Sequence, residues 1–170
     1  EYEKIRGHVS LQHLQKVKCT VRYDACGGTG APESQIQEAG QSVTVSATVP
    51  AREGYTFLGW TAEKDGKFAQ YKPGSKLTVT MDTTLYAVWK SDSAKASALQ
   101  VERKPTKATY LLQEKLDTTG LRLRLTYSDG TAHLVTEGFD ASGFDSSTAG
   151  EKTVTVTYKG VTATFKVKVL

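Results

Sequence analysis

Gly54-Tyr55-Thr56-Phe57-Leu58-Gly59-Trp60 and Thr83-Thr84-Leu85-Tyr86-Ala87-Val88-Trp89 are the two stretches whose reading decides the fold. Glycines punctuate the first, and its other residues are aromatic, β-branched or leucine, the composition that suits a half-buried pleated strand. The second has the same character and ends on Trp89. Each large aromatic can remove about 150–250 Å² from water, so a few of them furnish most of the core of a small domain. No cluster of catalytic residue types borders either stretch. The pair therefore predicts a building block of a larger surface protein and not an enzyme.

Alternation of apolar and polar residues extends the strand reading in both directions. Upstream, Val17, Cys19, Val21 and Tyr23 share one face of a strand, the glycine-rich run Gly27-Gly28-Thr29-Gly30-Ala31-Pro32 breaks it, and Val43 to Val49 alternates again. Residues 33–40 are polar enough for a loop or one or two helical turns. Lys64-Asp65-Gly66-Lys67 carries an Asp-Gly hairpin signal, Pro73-Gly74 a further turn, and Leu77 to Met81 another strand. Residues 1–16 show no clean periodicity and are expected to be a tail or the end of a preceding module.

Residues 91–98, Ser-Asp-Ser-Ala-Lys-Ala-Ser-Ala, read as a linker that reaches at most about 26–29 Å, so two modules joined by it remain close neighbours. Beyond it the alternation is cleaner. Leu121, Leu123, Leu125 and Tyr127 lie on one face, with Arg122, Arg124 and Thr126 on the other. Ser128-Asp129-Gly130-Thr131 turns the chain back into Ala132 to Thr136. Val154, Val156 and Tyr158 then face Val161, Ala163, Phe165, Val167 and Val169 across a Lys159-Gly160 loop, leaving Thr162, Thr164, Lys166 and Lys168 toward water. Short strands at this spacing predict an antiparallel β-sandwich, and the two modules are expected to fold as separate units.

Composition excludes several functions. Lys and Arg number 22 against 18 Asp and Glu, a net charge of +4, and each half of the chain carries 11 against 9. Nucleic-acid binders cluster their cations on one face, so no nucleic-acid partner is expected. No run approaches the ~20 apolar residues of a membrane span. Neither an initiator Met nor a signal peptide opens the chain, which predicts a piece of a longer protein. Without asparagine there is no Asn-X-Ser/Thr glycosylation site and no Lys–Asn isopeptide cross-link. Cys19 and Cys26 could be ~23 Å apart on an extended chain, against about 4.4–6.8 Å for a disulfide, so Cys19 is read as a small core residue and Cys26 as a loop thiol.

Candidate sites are few. His8, His13 and His133 have no acidic or cysteine ligand at metal-site spacing and read as solvated surface histidines. Asp65-Gly66 and Asp129-Gly130 lack the Asp-X-Asp-X-Asp-Gly pattern of a calcium loop. Gly27 to Gly30 is followed by no Gly-Lys-Ser/Thr, and Ser146-Ser147-Thr148 has no nearby base. No catalytic, metal or cofactor residue is therefore predicted. Tyr55, Tyr71, Tyr86, Trp60 and Trp89 could stack a sugar ring. The tryptophans are needed for the core of so small a domain, which leaves Tyr71, beside Lys72-Pro73-Gly74, as the candidate ligand contact. A turn-packing role is the stronger reading for it.

Two resemblances emerge from these residues. Tyr23-Asp24-Ala25-Cys26-Gly27-Gly28-Thr29-Gly30 with Gly54 to Trp60 and Thr83 to Trp89 resembles the Listeria–Bacteroides repeat, the β-grasp-like B-repeat family of internalin-type surface proteins, over residues 17–90. Cys26 departs from the asparagine usual there. Lys104-Pro105-Thr106, Leu116, Gly120-Leu121, Tyr127 to Thr131, Gly143-Phe144-Asp145 and Ala149-Gly150 resemble a group 3 bacterial immunoglobulin-like domain over residues 99–170. The resemblances imply a mainly β chain, a β-grasp-like module followed by an immunoglobulin-like β-sandwich. They also imply a non-enzymatic fragment of an extracellular protein, at the bacterial cell surface or secreted, acting as stalk or spacer and in adhesion. The partners implied are a host or cell-wall glycan, a surface protein, and neighbouring modules of the same chain. The alternative is an accessory glycan-binding segment of a secreted glycoside hydrolase.

Overall fold

A computed structural model describes residues 16–170, and these form strands and turns with no helix among them. The expected N-terminal tail lies outside the described residues except for Lys16. The first module contains β1 (Lys18–Asp24), β2 (Gln35–Glu38), β3 (Ser42–Thr44), β4 (Tyr55–Thr61), β5 (Phe68–Ala69), β6 (Lys76–Thr78) and β7 (Thr83–Ser91). The second contains β8 (Ala96–Arg103), β9 (Thr109–Tyr110), β10 (Arg122–Tyr127), β11 (Ala132–Val135), β12 (Asp140–Ser142), β13 (Gly150–Tyr158) and β14 (Val161–Val169).

The two aromatic stretches are β4 and β7, and they pair antiparallel, with Phe57 opposite Trp89 and Trp60 opposite Ala87. They belong to a sheet in the order β2-β1-β7-β4, whose central β1–β7 pair is parallel. This order does not conflict with a β-grasp-like arrangement. Trp60 is fully buried and Trp89 nearly so, in one core with Cys19, Val21, Val45 and Leu85. Edge-to-face contacts at 5.0 Å join Trp60 to Tyr23 and to Phe57. Trp89 closes the module from the other end, its indole N–H donating to the Ala25 carbonyl at 2.7 Å. Gly28 is required beside it, because a Cβ there would lie 2.5 Å from the Trp89 ring and 2.8 Å from the Ala51 carbonyl oxygen.

Several local expectations are corrected. Residues 35–38 are strand and not loop or helix, because their backbone pairs antiparallel with Lys18–Val21 at the edge of the sheet while Ile36 remains exposed. Val17 precedes β1 and is exposed, so it does not share the buried face of Cys19 and Val21. The alternation at 43–49 yields only the short β3, paired with β6, after which Val45 turns inward and Val49 outward. Met81 lies beyond β6 and is exposed.

The second module is the expected sandwich. One sheet contains β11-β10-β8 and the other β12-β13-β14-β9. Leu121, Leu123, Leu125 and Tyr127 pack between them against Val154, Val156, Phe165, Val167 and Val169, the residues that alternation placed inward. The long β13–β14 hairpin runs unbroken from Gly150 opposite Val169 to Tyr158 opposite Val161, and Lys159 and Gly160 both take positive φ in its loop. Pairing is antiparallel except at the margins, where β9 joins β14 and β5 joins β11 in parallel.

That last pair links the modules. Residues 64–67 turn, with the Gly66 N–H donating to the Glu63 carbonyl at 3.0 Å. The chain then places Phe68 and Ala69 beside Ala132 and His133 of the second module. The stretch read as a linker is ordered: Ser91 ends β7, the Ala94 N–H donates to the Ser91 carbonyl at 3.0 Å, and Ala96–Ala98 begin β8.

Candidate functional site

The seam between the modules concentrates the features that distinguish this chain from two beads on a string. The Ala132 N–H donates to the Lys67 carbonyl at 2.8 Å. The Ser91 N–H donates to the Asp129 carboxylate, also at 2.8 Å, tying the end of β7 to the β10–β11 turn. In that turn Asp129 also accepts from the N–H and hydroxyl of Thr131, and Gly130, at φ +83°, supplies the left-handed step. The Ser128 N–H donates to the Lys95 carbonyl at 2.8 Å and its hydroxyl accepts from the Lys95 N–H at 3.0 Å. Leu58, on β4 of the first module, packs against the core of the second.

Beside the seam is a cleft of about 500 Å³. The first module contributes Phe68, Gln70 and Tyr71, and the second contributes Glu102, Arg103, Arg122 and Leu134. Tyr71, the candidate ligand contact, thus lines a cleft, yet it is half-buried and packs against the first core while its backbone bridges to Trp60. The more exposed ring is Tyr55, with the Arg52 guanidinium 4.0 Å over it. Arg103 and Arg122 were not legible as a pair, because they become direct neighbours only through the β8–β10 register, which shifts at a bulge next to Arg122. Arg124 lies 3.9 Å over the Phe68 ring and 3.4 Å from the Glu102 carboxylate.

The described residues hold no cluster of three or more His, Cys, Asp and Glu able to grip a metal. His133 is half-buried and not solvated: it stacks on Tyr127, whose hydroxyl is 3.0 Å from its Nε2. Burial pushes its pKa down, against the pull of its contact with the Leu134 carbonyl. Cys19 is in the core. Cys26 sits in a turn at φ +48°, where the Asp24 carboxylate accepts its N–H, and burial followed by the Asp24 charge raises its thiol pKa. His8 and His13 lie outside the described residues.

Fold and seam together define a chain of two docked β modules, with no helix among the described residues. Residues 20–88 match the Listeria-Bacteroides repeat domain and residues 103–169 the bacterial Ig-like domain (group 3), in that order along the chain. Both are typically non-catalytic modules. Among curated proteins, the chain is 36% identical over 120 residues to "Pectate lyase L" of Thermoclostridium stercorarium, covering 70% of this chain and 9% of that protein. It is 44% identical over 71 residues to an "Exo-beta-1,6-galactobiohydrolase" of Bifidobacterium longum subsp. longum, covering 38% of this chain and 5% of that protein. A "Putative membrane protein" of Evansella cellulosilytica is 39% identical over 72 residues, covering 42% of this chain and 10% of its own length. The chain therefore spans a tenth or less of the curated relatives it matches. No helix among the described residues is long and apolar enough to cross a membrane.

Proposed function

We propose that this chain is a non-catalytic, stiff connector within an extracellular bacterial protein, holding a functional part at a set distance and orientation at the cell surface or in a secreted chain. In this reading residues 17–90 and 99–170 are its two units and 91–98 the joint. The observation that carries it is the pairing of β5 with β11, which continues a sheet of the second module into the first. A spacer made of independent domains needs no such pairing, whereas a joint that resists bending does. Relaxation of the backbone amides by NMR tests this: residues of both modules should share one rotational correlation time. Two distinct tumbling rates would refute the stiff joint.

The seam also predicts a local energetic effect. Leu58→Ala should destabilise the second module by about 1–2 kcal/mol, the value of a partly buried leucine, although residue 58 belongs to the first. Fragment 92–170, which keeps β8 whole but lacks both Leu58 and β5, should melt below the same module in the intact chain. Equal melting temperatures would mean that the seam contributes nothing.

A second reading is favoured by the relatives' names, a pectate lyase and an exo-β-1,6-galactobiohydrolase: the connector serves as an accessory segment of a secreted glycan-degrading enzyme. An adhesive role toward a host or cell-wall glycan or a surface protein belongs to the first reading. A glycan and matrix-protein array separates an adhesive from an inert connector. Substrate turnover that survived repurification would overturn the non-catalytic assignment.

A further inference from the structure

We propose that the cleft between the modules is a binding site for an acidic sugar, a uronate unit of an anionic polysaccharide, with Arg103 and Arg122 on its carboxylate and Tyr71 and Phe68 against its ring. The proposal stands apart from the connector reading, since a joint without this site would still be stiff.

Arg103 and Arg122 are direct partners across the antiparallel β8–β10 pair. Like charges in that position repel and destabilise the sheet. Neither makes an ion pair among the described residues. Glu102, the acid that lines the same cleft, is engaged by Arg124 instead. The result is two arginines lining one cleft, on a chain whose charges are otherwise interspersed. Guanidinium is the side chain whose planar fork matches a carboxylate with two parallel N–H···O bonds. A carboxylate between the two would turn their repulsion into shared attraction.

The remaining lining argues for a sugar over a simple anion. Phe68, Tyr71 and Leu134 present apolar surface, and Gln70 adds both a donor and an acceptor. Small-molecule sites combine apolar walls with placed polar groups, and the volume lies within the common range of about 300–1,000 Å³. Phe68 is held in place by Arg124 behind it and by the β5–β11 pairing beneath it. The cleft needs both modules, so it exists only because they are docked.

Titration calorimetry of the intact chain with a short oligogalacturonate, as a simple uronate polymer, tests the site. Saturable binding is expected, weakening as salt is raised because the cleft is open to solvent. The uncharged oligogalactoside should bind at least about tenfold more weakly. Arg103→Gln with Arg122→Gln should lower the oligogalacturonate affinity by about tenfold or more, whereas Lys168→Gln, on β14, should leave it unchanged. Because it removes facing like charges, the double variant should melt at or above the temperature of the parent, so its loss of binding would not reflect unfolding. In the parent, amide shifts on titration should centre on Phe68 to Tyr71 and on Glu102, Arg103 and Arg122. No binding, equal affinity for acidic and neutral sugars, unchanged affinity in the double variant, or shifts centred elsewhere would each overturn the proposal.

Discussion

Trp60→Ala is expected to destabilise the first module by about 3–5 kcal/mol, the range for removing a large aromatic from a packed core. The ring is fully buried among Val21, Val45 and Leu85 and meets Tyr23 and Phe57 edge to face. Such aromatic pairs add about 0.5–1.5 kcal/mol beyond area burial. Tyr23, freed on one side, is itself tied to its surroundings: its hydroxyl accepts the Ser46 N–H at 2.9 Å and bonds to Gln35. The loss should therefore spread to β2 and the β3 region. The Trp60 indole N–H makes no hydrogen bond within the described residues, so its contribution is packing, and Trp60→Phe should retain most of the stability. Urea denaturation followed by circular dichroism measures both variants. A Trp60→Ala protein as stable as the parent would remove Trp60 from the core and return it to the ligand candidates.

Asp129→Ala should cost about 2–3 kcal/mol, since hydrogen bonds to an ionised group are worth about 1.5–3 kcal/mol and this carboxylate accepts from Ser91 and Thr131 together. The effect should be felt in both modules, because Ser91 ends β7 and Thr131 opens β11's side of the turn. Partial burial works to raise the Asp129 pKa, but the Thr131 hydroxyl and the Ser91 and Thr131 N–H groups outweigh it and hold the carboxyl below its usual range. With the folded pKa lowered, the stabilisation is complete above the unfolded value of about 4 and is lost as pH falls through the folded value. Thermal melts of the parent and Asp129→Ala should thus differ at neutral pH and converge in acid. A constant difference down to the lowest pH would show that the charge is not the source.

How far the sequence reached depended on whether a strand announces itself by its side chains. The alternating apolar positions of β10 are buried where the alternation put them, as are Val154, Val156, Phe165, Val167 and Val169 of β13 and β14, while Tyr158, Val161 and Ala163 toward the hairpin loop are partly buried. The aromatic frames of β4 and β7 placed both tryptophans in the first core. The β2 stretch was opaque for the opposite reason: Gln-Ile-Gln-Glu has no apolar face, and its exposed Ile36 points away from any core. The two-residue β5 is shorter than any periodicity can register.

By itself, then, the sequence determined that the chain is mainly β, which residues of its long strands face inward, and which two kinds of module it resembles, because burial on a pleated strand is written every second residue. The tertiary structure alone decided that β5 crosses to pair with β11, that Asp129 reaches Ser91, and that Arg103 lies opposite Arg122. Those contacts rest on backbone groups, which are the same in nearly every residue and in one case meet a carboxylate distant in sequence, and on a register shifted by a bulge. Both become specific only when the whole chain has folded around them.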